Sequence, residues 1–145
     1  MAMARQDPLR NFRFRVEIDG IAVAGFSEAL VGSATTDVIE YREGTDPMLV
    51  RKLPGLSKFN NITLKRGLTS SLELANWYKA VRDGQAQTRR KVAIVVADET
   101  GSDKARFIVS EAWPTKYEVS ELNAKGSEVL VETLELSNEG IERVS

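Results

Sequence analysis

Helical periodicity occurs once in this chain, and no other feature narrows the possible folds as far. Leu74, Trp77, Tyr78 and Val81 recur at i, i+3, i+4 and i+7, which puts them on one face, while Glu73, Asn76, Lys79 and Arg82 point elsewhere. Ser70 and Glu73 have the spacing of a capping box, in which each side chain satisfies a backbone N–H that the first turn leaves unpaired. Lys79 and Arg82 sit near the negative end of the helix dipole, and Gly84 suits the left-handed position just past the last turn. The spacing predicts a helix over 70–83. Its apolar face needs a partner, and the rest of the chain reads as strand and turn. The expected fold is therefore mainly β: a small barrel or sandwich of about seven or eight strands with this one helix flanking it.

The first strand is the clearest. In Phe12-Arg13-Phe14-Arg15-Val16-Glu17-Ile18-Asp19 the even positions are apolar and the odd ones charged, which marks one dry and one wet face. Asp19-Gly20 supplies the positive φ of a type I′ hairpin turn, and a return strand is expected from about Ile21 to Glu28. Val38 to Arg42 reads as a third strand, ended by the turn formers Glu43-Gly44-Thr45-Asp46-Pro47. Phe59 to Lys65 alternates again and leads through Arg66-Gly67 to the helix. Lys91 to Ala97 is apolar on both faces, so it is expected centrally, covered on one side by the core and on the other by the helix or a neighbouring subunit. Ala105 to Ala112 is expected to stop at Trp113-Pro114, because proline has no N–H for a ladder, and to continue at Tyr117-Glu118-Val119 on a sheet corner. Glu128 to Leu136 changes phase between Val129, Val131 and Leu134, Leu136, as a bulge near Glu132-Thr133 or a strand covered on both faces would produce.

At 145 residues the chain fits one domain, 1–145, with polar residues 1–8 as a flexible arm. The 20 Lys and Arg nearly cancel the 21 Asp and Glu, which leaves no overall field to attract DNA or an anionic membrane. Cysteine and histidine are both absent, and that excludes disulfides, thiolate nucleophiles, Cys/His zinc sites and the usual general base. The N-terminal MAMARQDPLRNF has no apolar signal-peptide core, and no stretch approaches the roughly 18 apolar residues of a membrane span. The protein is expected to be made in the cytoplasm without a signal peptide and to have no membrane partner.

Few residues could carry chemistry. Asp98-Glu99-Thr100-Gly101 superficially resembles an acid-protease loop, but the Asp is not followed directly by Thr-Gly, and a hairpin turn explains it. Glu128, Glu132 and Glu135 share a strand region without the further partner a metal needs, and a solvated edge accounts for them. Arg89-Arg90-Lys91 has no aromatic interleaved and reads as a linker or salt-bridging surface. Trp77, Tyr78 and Trp113 read as core or interface anchors. No catalytic residue, cofactor site or metal site is expected. Met48, Leu49 and Val50 are of another kind: consecutive apolar residues in a loop with Arg51, Lys52 and Leu53, expected to run on to Pro54-Gly55. Such residues are either folded back onto the core or kept for a partner.

The succession Phe12-Arg13-Phe14-Arg15-Val16, Asp37 to Gly44, Leu53-Pro54-Gly55, Asn61-Ile62-Thr63-Leu64-Lys65-Arg66-Gly67, a helix with Trp77, a strand at 91–97 and Ala112-Trp113-Pro114-Thr115-Lys116-Tyr117 resembles the T4-like tail tube family. That family includes the inner tubes of contractile phage tails and of extracellular contractile injection systems. The likeness runs from about Pro8 to Leu136, and its most specific parts are the I-x-L-K/R-x-G strand end before the helix and the aromatic-Pro break. The resemblance implies a structural protein, not an enzyme. It implies homo-hexameric rings stacked into a tube, a contractile sheath outside, baseplate and cap proteins at the ends, and DNA or protein effector cargo in the lumen, all as part of a virion or phage tail-like particle. It also suggests Met48 to Leu53 as inter-subunit residues, and Arg13, Arg15, Glu17 and Asp19 as a lumen face or an ordinary solvated one. A tube initiator, cap or baseplate tube-like protein would share the fold and form a ring without a long tube. A monomeric β-sandwich module for sugar or peptide would use Trp113 and Tyr117 as stacking platforms.

Overall fold

The computed structural model describes residues 13–23, 26–42, 44, 50–120, 126 and 129–145. In chain order the elements are β1 (Phe14–Ile18), β2 (Ile21–Val23), β3 (Phe26–Leu30), β4 (Ala34–Tyr41), β5 (Arg51–Phe59), β6 (Ile62–Gly67), α1 (Glu73–Arg82), β7 (Arg90–Ala97), β8 (Asp103–Val119), β9 (Val131–Ser137) and β10 (Gly140–Arg143). An eight-stranded sheet runs β2-β1-β7-β8-β9-β6-β3 with β10 also on β8, and β4 and β5 form a separate pair. The first turn is as read: Asp19 and Gly20 have φ of 52° and 80°, and Ile18 pairs with Ile21. The expected return strand divides, since β2 stays with β1 while β3 crosses to β6.

The sheet becomes two layers because β8 belongs to both. Its first half pairs with β7, as in Val109 with Val92, and its second half with β9, from Trp113 opposite Ser137 to Val119 opposite Glu132. Between them Glu111 takes a φ of 53°, and a register shift follows between Pro114 and Lys116. Such bulges bend a strand and strengthen its twist. The expected corner is present, but the expected interruption is not: Pro114 is fully buried inside one continuous strand, and the ladder irregularity accommodates its missing N–H. The result is a sandwich rather than a closed barrel, with β2 and β3 at the ends of the strand order.

Val16, Ile18, Val92, Ile94, Val109 and Ala112 of one layer, Ile62, Leu64, Leu134 and Leu136 of the other, and Leu74 and Trp77 of the helix make one buried cluster. The helix starts later than the capping-box reading implied. Leu72 is the N-cap and no side chain caps it, while the Ser71 hydroxyl accepts from the Glu73 N–H at 3.4 Å. Its end follows expectation: Gly84 has a φ of 72°, with Gln85 N–H on the Ala80 carbonyl at 3.0 Å and Gly84 N–H on that of Val81 at 3.1 Å, a Schellman closure.

β7 is central, with Val92 to Val95 buried on both faces. Within this chain, charged neighbours from β1 and β8 flank its outer face. Arg15 and Arg106 lie opposite Val95 on either side, Glu17 and Ile108 opposite Ala93, and the Arg106 guanidinium reaches across β7 to Glu17 at 3.4 Å. The alkyl stems of these charged side chains shield the small residues beneath them.

β9 has no bulge: its pairing with β6 is unbroken from Val131 opposite Gly67 to Leu136 opposite Ile62. Positions 132, 134 and 136 all face inward, so the apparent phase change is a glutamate standing in the core register.

Candidate subunit-interface surfaces

The stretch expected to be a loop through Pro54-Gly55 is strand β5, and with β4 it makes a hairpin arm. Pro54 sits opposite Val38 at a register shift after Thr36, where a missing N–H is tolerated. Ile39 pairs directly with Leu53 and Tyr41 with Arg51. Ile39 leans over Gly55, where a Cβ would approach its Cγ1 to 3.0 Å, so the glycine leaves room for the apolar side chain. Ile39 is 51% exposed, Leu53 47% and Leu56 75%, and Val38, Val50, Arg51 and Lys52 are exposed as well. Met48 and Leu49 lie outside the described residues. The structure therefore places Val50, Arg51, Lys52 and Leu53 on this arm, and adds Ile39 and Leu56, which the sequence reading missed. The signal was available: apolar pairs stand on both sides of the turn formers 43–47, as in any hairpin.

On β1 two of the candidate lumen residues, Arg15 and Glu17, belong to one ion-pair network. Arg15 donates to both carboxylate oxygens of Asp103 at 2.7 and 2.8 Å and to Glu17 at 2.9 Å, and Arg106 joins from the far side of β7. Hydrogen bonding from Arg15 holds the Asp103 carboxyl below the usual carboxylate range. Arg13 is exposed, and Asp19 lies 3.9 Å from Arg90 and accepts from the Lys91 N–H.

Glu132 was expected on a solvated edge and is instead 1% exposed, paired in the core with Arg66, which is 3% exposed. Tyr117 donates to its other oxygen at 2.6 Å, Arg66 lies 5.6 Å from the Phe26 ring centroid, and the Arg66 Nη2 has no hydrogen-bond partner. Burial, then the bond to Glu132, pushes the Tyr117 hydroxyl up to about 12. Its neutral form is thus favoured by folding, a contribution complete below a pH of about 10 and lost as pH rises through about 12. Absorbance titration should show one of the three tyrosines ionising late, and Tyr117→Phe should remove that late step. The Tyr117 ring stacks on Tyr78 at 6.4 Å, which engages one of its faces within this chain. Glu135 accepts from Asn61 at 2.9 Å, and Glu128 lies outside the described residues.

The remaining candidates are structural. The Asp98 carboxylate accepts from Thr100 Oγ1 at 2.6 Å and from the Thr100 and Ser102 N–H groups, the bonds of a turn, and the Thr100 hydroxyl bond chiefly holds it below the carboxylate range. Arg89 pairs with Glu139 at 2.6 Å and Arg90 stacks over the Trp77 ring at 5.0 Å, as a salt-bridging surface does. Among the described residues no group of acidic side chains suits a metal ion, and no helix is long and apolar enough to cross a membrane.

The family model of the T4-like virus tail tube protein gp19 matches residues 10–142. Three solved structures share the fold over nearly the whole chain. The cryo-EM structure of the anti-feeding prophage cap, the tube terminating cap, has 26% identity and a TM-score of 0.88, covering 100% of this chain and 96% of that one. A sheath-tube complex of an extracellular contractile injection system in the extended state has 25% identity and a TM-score of 0.83, covering 95% and 92%. The sheath/tube terminator of that system has 24% identity and a TM-score of 0.86, covering 98% and 100%. A search among curated protein sequences returns no match. With a family match spanning both layers, the helix and the hairpin arm, the chain belongs to the T4-like virus tail tube family and is a structural protein rather than an enzyme.

Proposed function

We propose that the chain forms hexameric rings that stack head to tail into the rigid inner tube of a contractile phage tail or extracellular contractile injection system. A contractile sheath surrounds that tube, baseplate and cap proteins close it, and DNA or protein effectors pass through it. The observation that carries the reading is the β4–β5 arm. A two-stranded ribbon is at best marginally stable in water, and this one holds Val38, Ile39, Leu53 and Leu56 exposed. A second copy covering the arm completes it, and a head-to-tail contact that does not close on itself propagates into a filament. The ends of the strand order, β2 and β3, are edges that ring closure would pair. The face with Arg13, Arg15, Glu17 and Asp19 is assigned to the lumen, because its ions are largely paired with one another or with Asp103, Arg106 and Arg90 and leave little net field to hold passing cargo.

Purified protein should form rings or tubes in negative-stain electron microscopy. Ile39→Asp with Leu53→Asp should leave a monomer with unchanged circular dichroism and no tubes; tubes of normal length would remove the arm from the assembly. Met48→Asp with Leu49→Asp is expected to act alike. A second reading, a ring that caps or ends the tube, is supported by the likeness to the cap and terminator structures, and single rings without long tubes would select it.

A further inference from the structure

The arm is not an independent element. Leu30 of β3 pairs with Thr63 of β6, and Ala34 of β4 pairs with Phe59 of β5. β3–β4 and β5–β6 are thus two halves of one long ribbon, broken at residues 31–33 and 60–61 by an elbow. Two strands alone do not hold a fixed direction, because ribbons twist over a wide range. The elbow holds several devices that could fix it. Gly32 has a φ of 88°, and a Cβ there would lie 3.1 Å from the Asn61 carbonyl oxygen and 3.2 Å from that of Asn60. The Asn60 N–H donates to the Ser33 carbonyl at 2.8 Å, and the Asn60 side-chain amide donates to the Ser33 hydroxyl. From the body, the Asn138 amide donates to the Asn60 carbonyl at 3.1 Å, and its own oxygen accepts from the Gly140 N–H at 3.1 Å. Asn61 reaches Glu135 of β9 at 2.9 Å.

We propose that Gly32, Ser33, Asn60 and Asn138 form a clamp that sets the angle of the β4–β5 arm and so positions its apolar side chains for a second copy of the chain. This rests on the reading of the arm as an assembly element. Only glycine combines the left-handed backbone at position 32 with the close approach of two carbonyl oxygens, which belong to main chain and cannot swing away. Asn138 ties the elbow to the β9–β10 turn, so the arm's direction is referred to the sandwich rather than to the ribbon itself. A preorganised arm loses less freedom when it docks, which favours assembly at low concentration.

The chain has no cysteine, so Lys52→Cys on the arm and Lys79→Cys on the helix would be the only labelling sites. Their nitroxide distance distribution, measured in the Ile39→Asp, Leu53→Asp background to keep the chain monomeric, should be narrow. Gly32→Ala, and separately Asn138→Ala, which deletes only a hydrogen-bonding group, should broaden it. In the otherwise unaltered chain each should raise the concentration needed for tube assembly, by roughly tenfold for Gly32→Ala. An unchanged narrow distribution in both variants overturns the clamp, whatever assembly does. A broadened distribution with undiminished assembly overturns its role in positioning, and tubes from the Ile39→Asp, Leu53→Asp protein would separately overturn the arm as an assembly element.

Discussion

Glu132→Ala is expected to lower the unfolding free energy by about 3–5 kcal/mol, because it strands the Arg66 guanidinium inside the sandwich without its counter-charge. Arg66 already carries an unpartnered NH2 group, at Nη2, and Tyr117 would lose its acceptor in the same change. Replacing both ions, Arg66→Met with Glu132→Leu, should recover much of the loss, since a well-packed apolar pair avoids desolvating two charges, although Tyr117 still lacks its acceptor. Denaturant unfolding of the three proteins in an assembly-deficient background reads this directly. A loss below about 1 kcal/mol for Glu132→Ala would mean that water reaches the pair.

Trp77→Ala is expected to cost about 3–5 kcal/mol, the usual range for emptying a buried aromatic site, and to lower Tm by roughly 10 °C. Trp77 is fully enclosed between the helix and the sandwich, donates from its indole N–H to the Thr88 carbonyl at 2.7 Å, and carries Arg90 over its ring. Removing it separates α1 from both layers at once, so the helix should lose protection in hydrogen exchange before the strands do. A drop in Tm confined to a degree or two would show that Leu74 alone anchors the helix.

The strands whose two faces differ were legible, and so was the helix stop. β1, β6 and β7 announce themselves because alternation or continuous apolarity translates directly into one or two dry faces. What escaped was decided by tertiary partners. Glu132 looked like surface because nothing local reveals that Arg66 stands opposite it on β6. Pro114 looked like a stop because the bulges that accommodate it depend on how β8 meets β9. Pro54-Gly55 looked like a turn because an arm with few contacts to the body has no dry face to impose alternation. The arm's residues were half visible for the same reason: Val50 to Leu53 stood out as greasy, while Ile39 was read only as part of a strand.

One consequence follows from the unbroken run of β8 through both layers. A push applied to either leaf passes to the other along covalent backbone, with no loop to absorb it. Each subunit of the proposed conduit would answer axial thrust as one stiff plate, with compliance concentrated at the joints between copies.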